Sequence, residues 1–111
     1  MAVDYARAMA AYTVAGEGGD ASSQYQVGFM YYHGRGVDAG YKQALAWFEK
    51  AAAQDVPVAI LHLGTMYFAG LGVTPSCRRA REFYERAIEL GHSGAVQTVQ
   101  ALAKMIQKVT S

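Results

Sequence analysis

The chain has one cysteine, two prolines, few charges and no long apolar run, and each shortage closes something off. Cys77 alone cannot form an internal disulfide, which favours a reducing, cytoplasmic setting without requiring one. Asp4 and Arg7 interrupt the first fifteen residues, so no apolar segment of a secretory signal can be drawn there. No stretch is long and apolar enough to cross a bilayer as a helix, and the chain reads as soluble. Lys and Arg number 10 against 9 Asp and Glu, a net charge of +1. So balanced a chain raises no field that would gather nucleic acid or anionic lipid.

What is there is small and aromatic. With 111 residues, 52% of them hydrophobic, the chain is one domain at most and long enough to bury a core. Alanine, glycine and tyrosine dominate where leucine and isoleucine would fill an ordinary core, and small residues point to closely packed helices. One turn stands out. Tyr31-Tyr32-His33-Gly34-Arg35-Gly36-Val37 returns as Tyr67-Phe68-Ala69-Gly70-Leu71-Gly72-Val73, displaced by 36 positions with four residues unchanged.

Six helices and no strand are predicted around that turn. The first carries Tyr5, Ala8, Met9 and Tyr12 on one face and ends at the glycines 16, 18 and 19. Asp20 caps the second, which buries Tyr25, Val27, Gly28, Met30 and Tyr31 and stops at Gly34. Asp38 caps the third, over residues 39–54, with Tyr41, Ala44, Leu45, Trp47, Phe48, Ala51 and Ala52 on its packing face. Pro57 opens the fourth, which Gly70 ends. Thr74-Pro75 opens the fifth, which Gly91 ends. Ser93 caps a last helix striped by Val96, Val99, Leu102, Ala103, Ile106 and Val109.

Shifting the sequence by 36 residues pairs Gly28 with Gly64, Met30 with Met66, Ala44 with Ala80, Glu49 with Glu85 and Ala51 with Ala87. A two-helix unit of this length cannot bury its face alone, so the predicted fold is an α-solenoid of stacked antiparallel helix hairpins. Its divisions are an N-terminal half-repeat over 1–19, repeats over 20–55 and 56–91, and a C-terminal half-repeat or capping helix over 92–111. The motif Val27-Gly28-x-x-Tyr31-x-x-Gly34-x-Gly36-Val37 with Ala44-x-x-Trp47-Phe48-Glu49-Lys50-Ala51 recurs as Leu63-Gly64-x-x-Tyr67-x-x-Gly70-x-Gly72-Val73 with Ala80-x-x-Phe83-Tyr84-Glu85-x-Ala87. It resembles the Sel-1-like repeat family. Tetratricopeptide repeats run at 34 residues and lack the Gly-x-Gly-Val turn. The resemblance implies a non-catalytic scaffold in signalling, secretion or quality-control complexes.

The residues that suggest chemistry have plainer readings. Gly34-Arg35-Gly36 lacks the strand and third glycine of a phosphate loop, and its copy has no basic residue; the glycines serve a turn. His33, His62 and His92 show no ligand spacing, so no metal or cofactor is expected. Cys77 lies near a helix start beside Arg78 and Arg79, but no histidine is close to it in sequence. Its counterpart Tyr41 makes partial burial the preferred reading. Arg78, Arg79, Arg81 and Arg86 alternate with Glu82, Glu85 and Glu89 as a solvated, paired face. Gly28 and Gly64 cost their helices about 1 kcal/mol each relative to alanine, which close approach of Trp47-Phe48 and Phe83-Tyr84 would offset.

By analogy with hairpin solenoids, the first helix of each repeat lines the concave side. That displays Tyr25, Phe29, Tyr32 and His33, then Leu61, Thr65 and Phe68, then Gln97, Ala101 and Lys104. These are the candidate contacts for a peptide or helical segment of another protein. Phe29, Tyr32 and Phe68 serve equally well as core between repeats. An alternative is a structural subunit whose copies associate through the terminal half-repeats, although Gln100, standing where Gly28 and Gly64 stood, favours a capping role for the last helix.

Overall fold

The computed structural model describes residues 4–91 together with Gln100 and Lys104. Its helices are α1 Tyr5–Glu17, α2 Ala21–His33, α3 Tyr41–Ala52, α4 Pro57–Ala69 and α5 Cys77–Glu89, with no strand among the described residues. Gln100 and Lys104 are helical too; the cap Ser93 and the apolar stripe expected beyond it lie outside the described residues. Two compact units divide the chain, residues 1–56 with α1 to α3 and residues 57–111 with α4 and α5.

Helix starts follow from who satisfies the first N–H groups. Asp4 Oδ1 accepts from Arg7 N at 3.1 Å, Asp20 Oδ2 from Ser23 N at 2.9 Å, and Ser76 Oγ from Arg79 N at 3.2 Å. Pro57 opens α4, where its missing N–H has no partner to lose. Two expected caps are displaced. They fall at Gly40 and Ser76 rather than at Asp38 and Thr74, so α3 is shorter than residues 39–54. The backbone N–H groups of Gly40 and Ser76 donate to Tyr31 O and Tyr67 O, both at 2.9 Å. These bonds tie the segment entering α3 or α5 to the helix before it, and the next helix starts two residues later than expected.

The repeated turn has the same backbone twice. Arg35 N donates to Met30 O and Leu71 N to Met66 O, each at 2.9 Å. Gly34 and Gly36 have φ of 68° and 75°, Gly70 and Gly72 both 72°, left-handed values that favour glycine. At the other end of the hairpins the chain is left-handed at Gly19, Asp55 and Gly91. These three positions are again 36 residues apart.

In the first unit Met9, Val27 and Met30 form a core flanked by Ala8, Tyr31, Val37 and Trp47. From α3, Ala44, Phe48, Ala51 and Ala52 are buried. The Phe48 ring lies on Gly28 so closely that a Cβ there would fall 2.7 Å from it. Trp47 takes a different seat, against Gly16 of α1, with the Lys50 ammonium 4.2 Å above its ring. The second unit repeats the first contact. The Tyr84 ring lies 2.7 Å from where a Gly64 Cβ would stand, and Phe83 stacks on Tyr67 at 5.4 Å.

Positions 5, 41 and 77 do not pack as expected. Tyr5 is 38% and Tyr41 42% exposed, and Cys77 is exposed rather than partly buried. Each is the first residue of its helix. In α3 and α5 burial begins one turn later, at Ala44 and Ala80.

Candidate partner-binding surface

The α2 helix places Tyr25, Phe29, Tyr32 and His33 on one face because they recur at the three-to-four spacing of a helix. The structure brings these four together. Tyr25 and Phe29 have ring centroids 6.1 Å apart, Phe29 and His33 4.3 Å, and Tyr32 and His33 4.9 Å. The row is not uniform. Tyr25 and Tyr32 also reach α3, with Phe48 at 5.7 Å and 6.5 Å and Tyr41 at 5.4 Å from Tyr32. Those two tyrosines brace the ring that sits on Gly28. Phe29 is half-buried and His33 exposed.

Burial raises the phenol pKa of Tyr25 above the ordinary tyrosine value; at Tyr32 burial does the same and the neighbouring Tyr41 adds to it. Both hydroxyls are therefore neutral at ordinary pH and serve as donors or acceptors.

On its other side Phe29 borders a cleft of about 210 Å³ within the first unit. Tyr5, Ala8 and Tyr12 of α1 and Gln26 and Met30 of α2 complete its walls, with Arg35 from the turn at its rim. The Arg35 guanidinium lies 5.5 Å from the Tyr5 ring centre and 5.9 Å from that of Phe29. Its Nη1 donates to Tyr5 Oη at 3.4 Å. Sequence reasoning missed this feature by assigning Tyr5 and Tyr12 to a packing face and Arg35 to a turn. The available signal was the mismatch of Arg35 with Leu71 in otherwise matching turns.

In the second unit Leu61, Thr65 and Phe68 are half-buried. Thr65 Oγ1 is 2.9 Å from Tyr84 Oη and donates to Leu61 O at 3.2 Å, so Thr65 is engaged within its own hairpin. Lys104 is exposed; Gln97 and Ala101 lie outside the described residues. On α5, Arg78 and Arg81 pair with Glu82 and Glu85 at 3.8 Å and 3.9 Å. Arg79 instead covers Tyr67, its guanidinium 4.9 Å from the ring centre. Among the described residues no three His, Cys, Asp or Glu side chains converge as a metal site, and no helix is long and apolar enough to cross a membrane.

A buried amide, also unforeseen, ties the first unit together. Gln24 Nε2 donates to Gly16 O at 3.0 Å, while Gln54 Nε2 reaches Gln24 Oε1 and Gly19 O, both at 3.0 Å.

The family model for the Sel1 repeat matches residues 21–56 and again 57–92. Among solved structures, a Sel1 repeat protein from Oxalobacter formigenes is 37% identical with a TM-score of 0.78, over 81% of this chain and 68% of that one. The protective antigen c5321 of uropathogenic Escherichia coli strains, which displays an SLR fold, is 36% identical with a TM-score of 0.81. That match covers 83% of this chain and 20% of the antigen. Helicobacter pylori cysteine rich protein B (hcpB) superposes with a TM-score of 0.76 at 24% identity, over 81% of this chain and 68% of its own, and speaks for the fold alone. No curated protein matches. The fold class is the all-α solenoid of helix hairpins.

Proposed function

The chain belongs to the Sel1 repeat family, whose members generally act as protein-interaction scaffolds. From that premise we propose that it binds a peptide or helical segment of another protein on the aromatic face of α2. The observation that carries this reading is the continuous row Tyr25, Phe29, Tyr32 and His33, partly open to solvent. Rigid aromatic side chains with a polar edge supply much of the energy at protein interfaces. The second unit has its own candidate contacts, with Leu61 and Phe68 half-buried on α4 and Lys104 exposed.

Peptides selected from a displayed random library on the wild-type protein test the proposal, with affinities measured by fluorescence polarisation. Phe29→Ala should weaken binding about tenfold or more, as interface hot spots do, and leave the helical circular dichroism unchanged. Equal affinity would remove the surface, and unfolding of the variant would make Phe29 core. Tyr32→Ala is the less clean variant because Tyr32 also packs on Phe48 and Tyr41.

A second reading, association of copies through α1, draws on Val14, 72% exposed. Light scattering across concentration tests it, and a monomer throughout would end it.

A further inference from the structure

We infer that the cleft beside α2 is a receptor for an apolar side chain joined to a carboxylate, as found at the C-terminus of a peptide ending in phenylalanine or leucine. This rests on the reading that α2 presents a peptide-binding face, and it names the group that face takes.

The walls supply the apolar half. Ala8, Tyr12, Phe29 and Met30 line a space of about 210 Å³. An enclosed apolar cavity of about 150 Å³ accommodates benzene, so this open cleft has the volume for one aromatic or branched aliphatic side chain.

The rim supplies the charged half. Arg7, Arg78 and Arg81 each pair with a carboxylate. Arg35 has no such ion pair among the described residues, and no Asp or Glu lines the cleft. Arg35 is nonetheless held in place, with Tyr5 and Phe29 beneath its guanidinium and Tyr5 Oη accepting from Nη1. One of its five N–H donors is used, which leaves an edge of the fork for an incoming carboxylate. Positioning by two rings lowers the side-chain entropy lost on binding. Gln26, also on the wall, offers an amide to the peptide backbone. The equivalent turn carries Leu71 and not arginine, so the charge belongs to the first unit's turn and not to the repeat itself.

The test is an NMR titration of the full chain with N-acetyl-phenylalanine and, separately, N-acetyl-phenylalaninamide, two probes that differ only in the carboxylate. The acid should shift the backbone signals of Tyr5, Phe29 and Arg35 saturably, with a Kd on the order of a millimolar for so small a ligand. The amide should bind about tenfold more weakly or worse. Arg35→Leu places in this turn the residue its copy already tolerates, so folding is preserved, and it should bring the acid down to the level of the amide. Arg35→Lys should restore part of the difference. Equal binding of acid and amide, or shifts that map elsewhere, would overturn the inference while leaving the α2 peptide surface standing. No saturable shift with either probe overturns it too. Loss of library peptides from Phe29→Ala, with those peptides indifferent to C-terminal amidation, would support α2 alone.

Discussion

Two glycines inside helices decide whether the hairpins close. Gly64 stands in the interior of α4, where alanine would ordinarily gain about 1 kcal/mol. Here the sign reverses, because the added Cβ would lie 2.7 to 3.0 Å from three atoms of the Tyr84 ring. That ring has little freedom to swing away. Tyr84 is 3% exposed and its hydroxyl is 2.9 Å from Thr65 Oγ1. Gly64→Ala is therefore expected to destabilise by about 1–3 kcal/mol, the usual cost of overpacking, and Gly64→Leu by more. A urea titration measures it; an alanine variant as stable as wild type would mean that Tyr84 moves freely. The reason for the glycine was legible from its recurrence at Gly28 and Gly64. Which ring covers it was not, since Trp47-Phe48 and Phe83-Tyr84 each offer two aromatics, and the helix rotation that selects the second is set by packing.

Among the elements, α2 carries the aromatic face proposed for a partner, and its start depends on Asp20. The carboxylate accepts from the Ser23 hydroxyl and from Ser23 N, and these bonds, the hydroxyl first, hold its pKa below the ordinary 3.8 despite a small opposing effect of burial. A depressed folded pKa means that the cap's contribution is fully present above pH 3.8 and fades as pH falls through the lower folded value. Asp20→Asn keeps a capping oxygen without the charge. The variant should lose less stability than wild type between neutral pH and acid below the folded pKa, seen in melts across that range; parallel pH profiles would show that Asp20 contributes nothing by its charge. The cap at Asp20 was readable because acid, small polar residues and helical spacing follow one another there. Asp38 and Thr74 misled because they are equally good capping types. What displaced the starts to Gly40 and Ser76 is a pair of backbone bonds to Tyr31 O and Tyr67 O, which no side chain announces. Arg35 was hidden for a related reason, since its value comes from Tyr5, 30 residues away in sequence.

For the molecule as a whole, the internal repeat made the helical class and the helix order legible, because a displacement of 36 residues aligns caps, turns and seams together. Stability at this scale should come from apolar burial and not from charge. The pairs Arg7–Asp4, Arg78–Glu82 and Arg81–Glu85 are long, from 3.5 to 3.9 Å, and their side chains are 55 to 90% exposed; such pairs contribute about 0–1 kcal/mol each. A net charge of +1 adds almost no self-repulsion for salt to relieve. Raising sodium chloride from about 0.05 M to about 0.5 M shortens the screening length severalfold, yet Tm should move by only about a few degrees. A large drop would place the surface pairs of α1 and α5 at the centre of stability, against their exposure. The same series should act differently on binding: if the Arg35 rim holds a carboxylate, affinity for N-acetyl-phenylalanine falls with salt while Tm stays nearly level. Salt thereby separates what holds the hairpins together from what they hold.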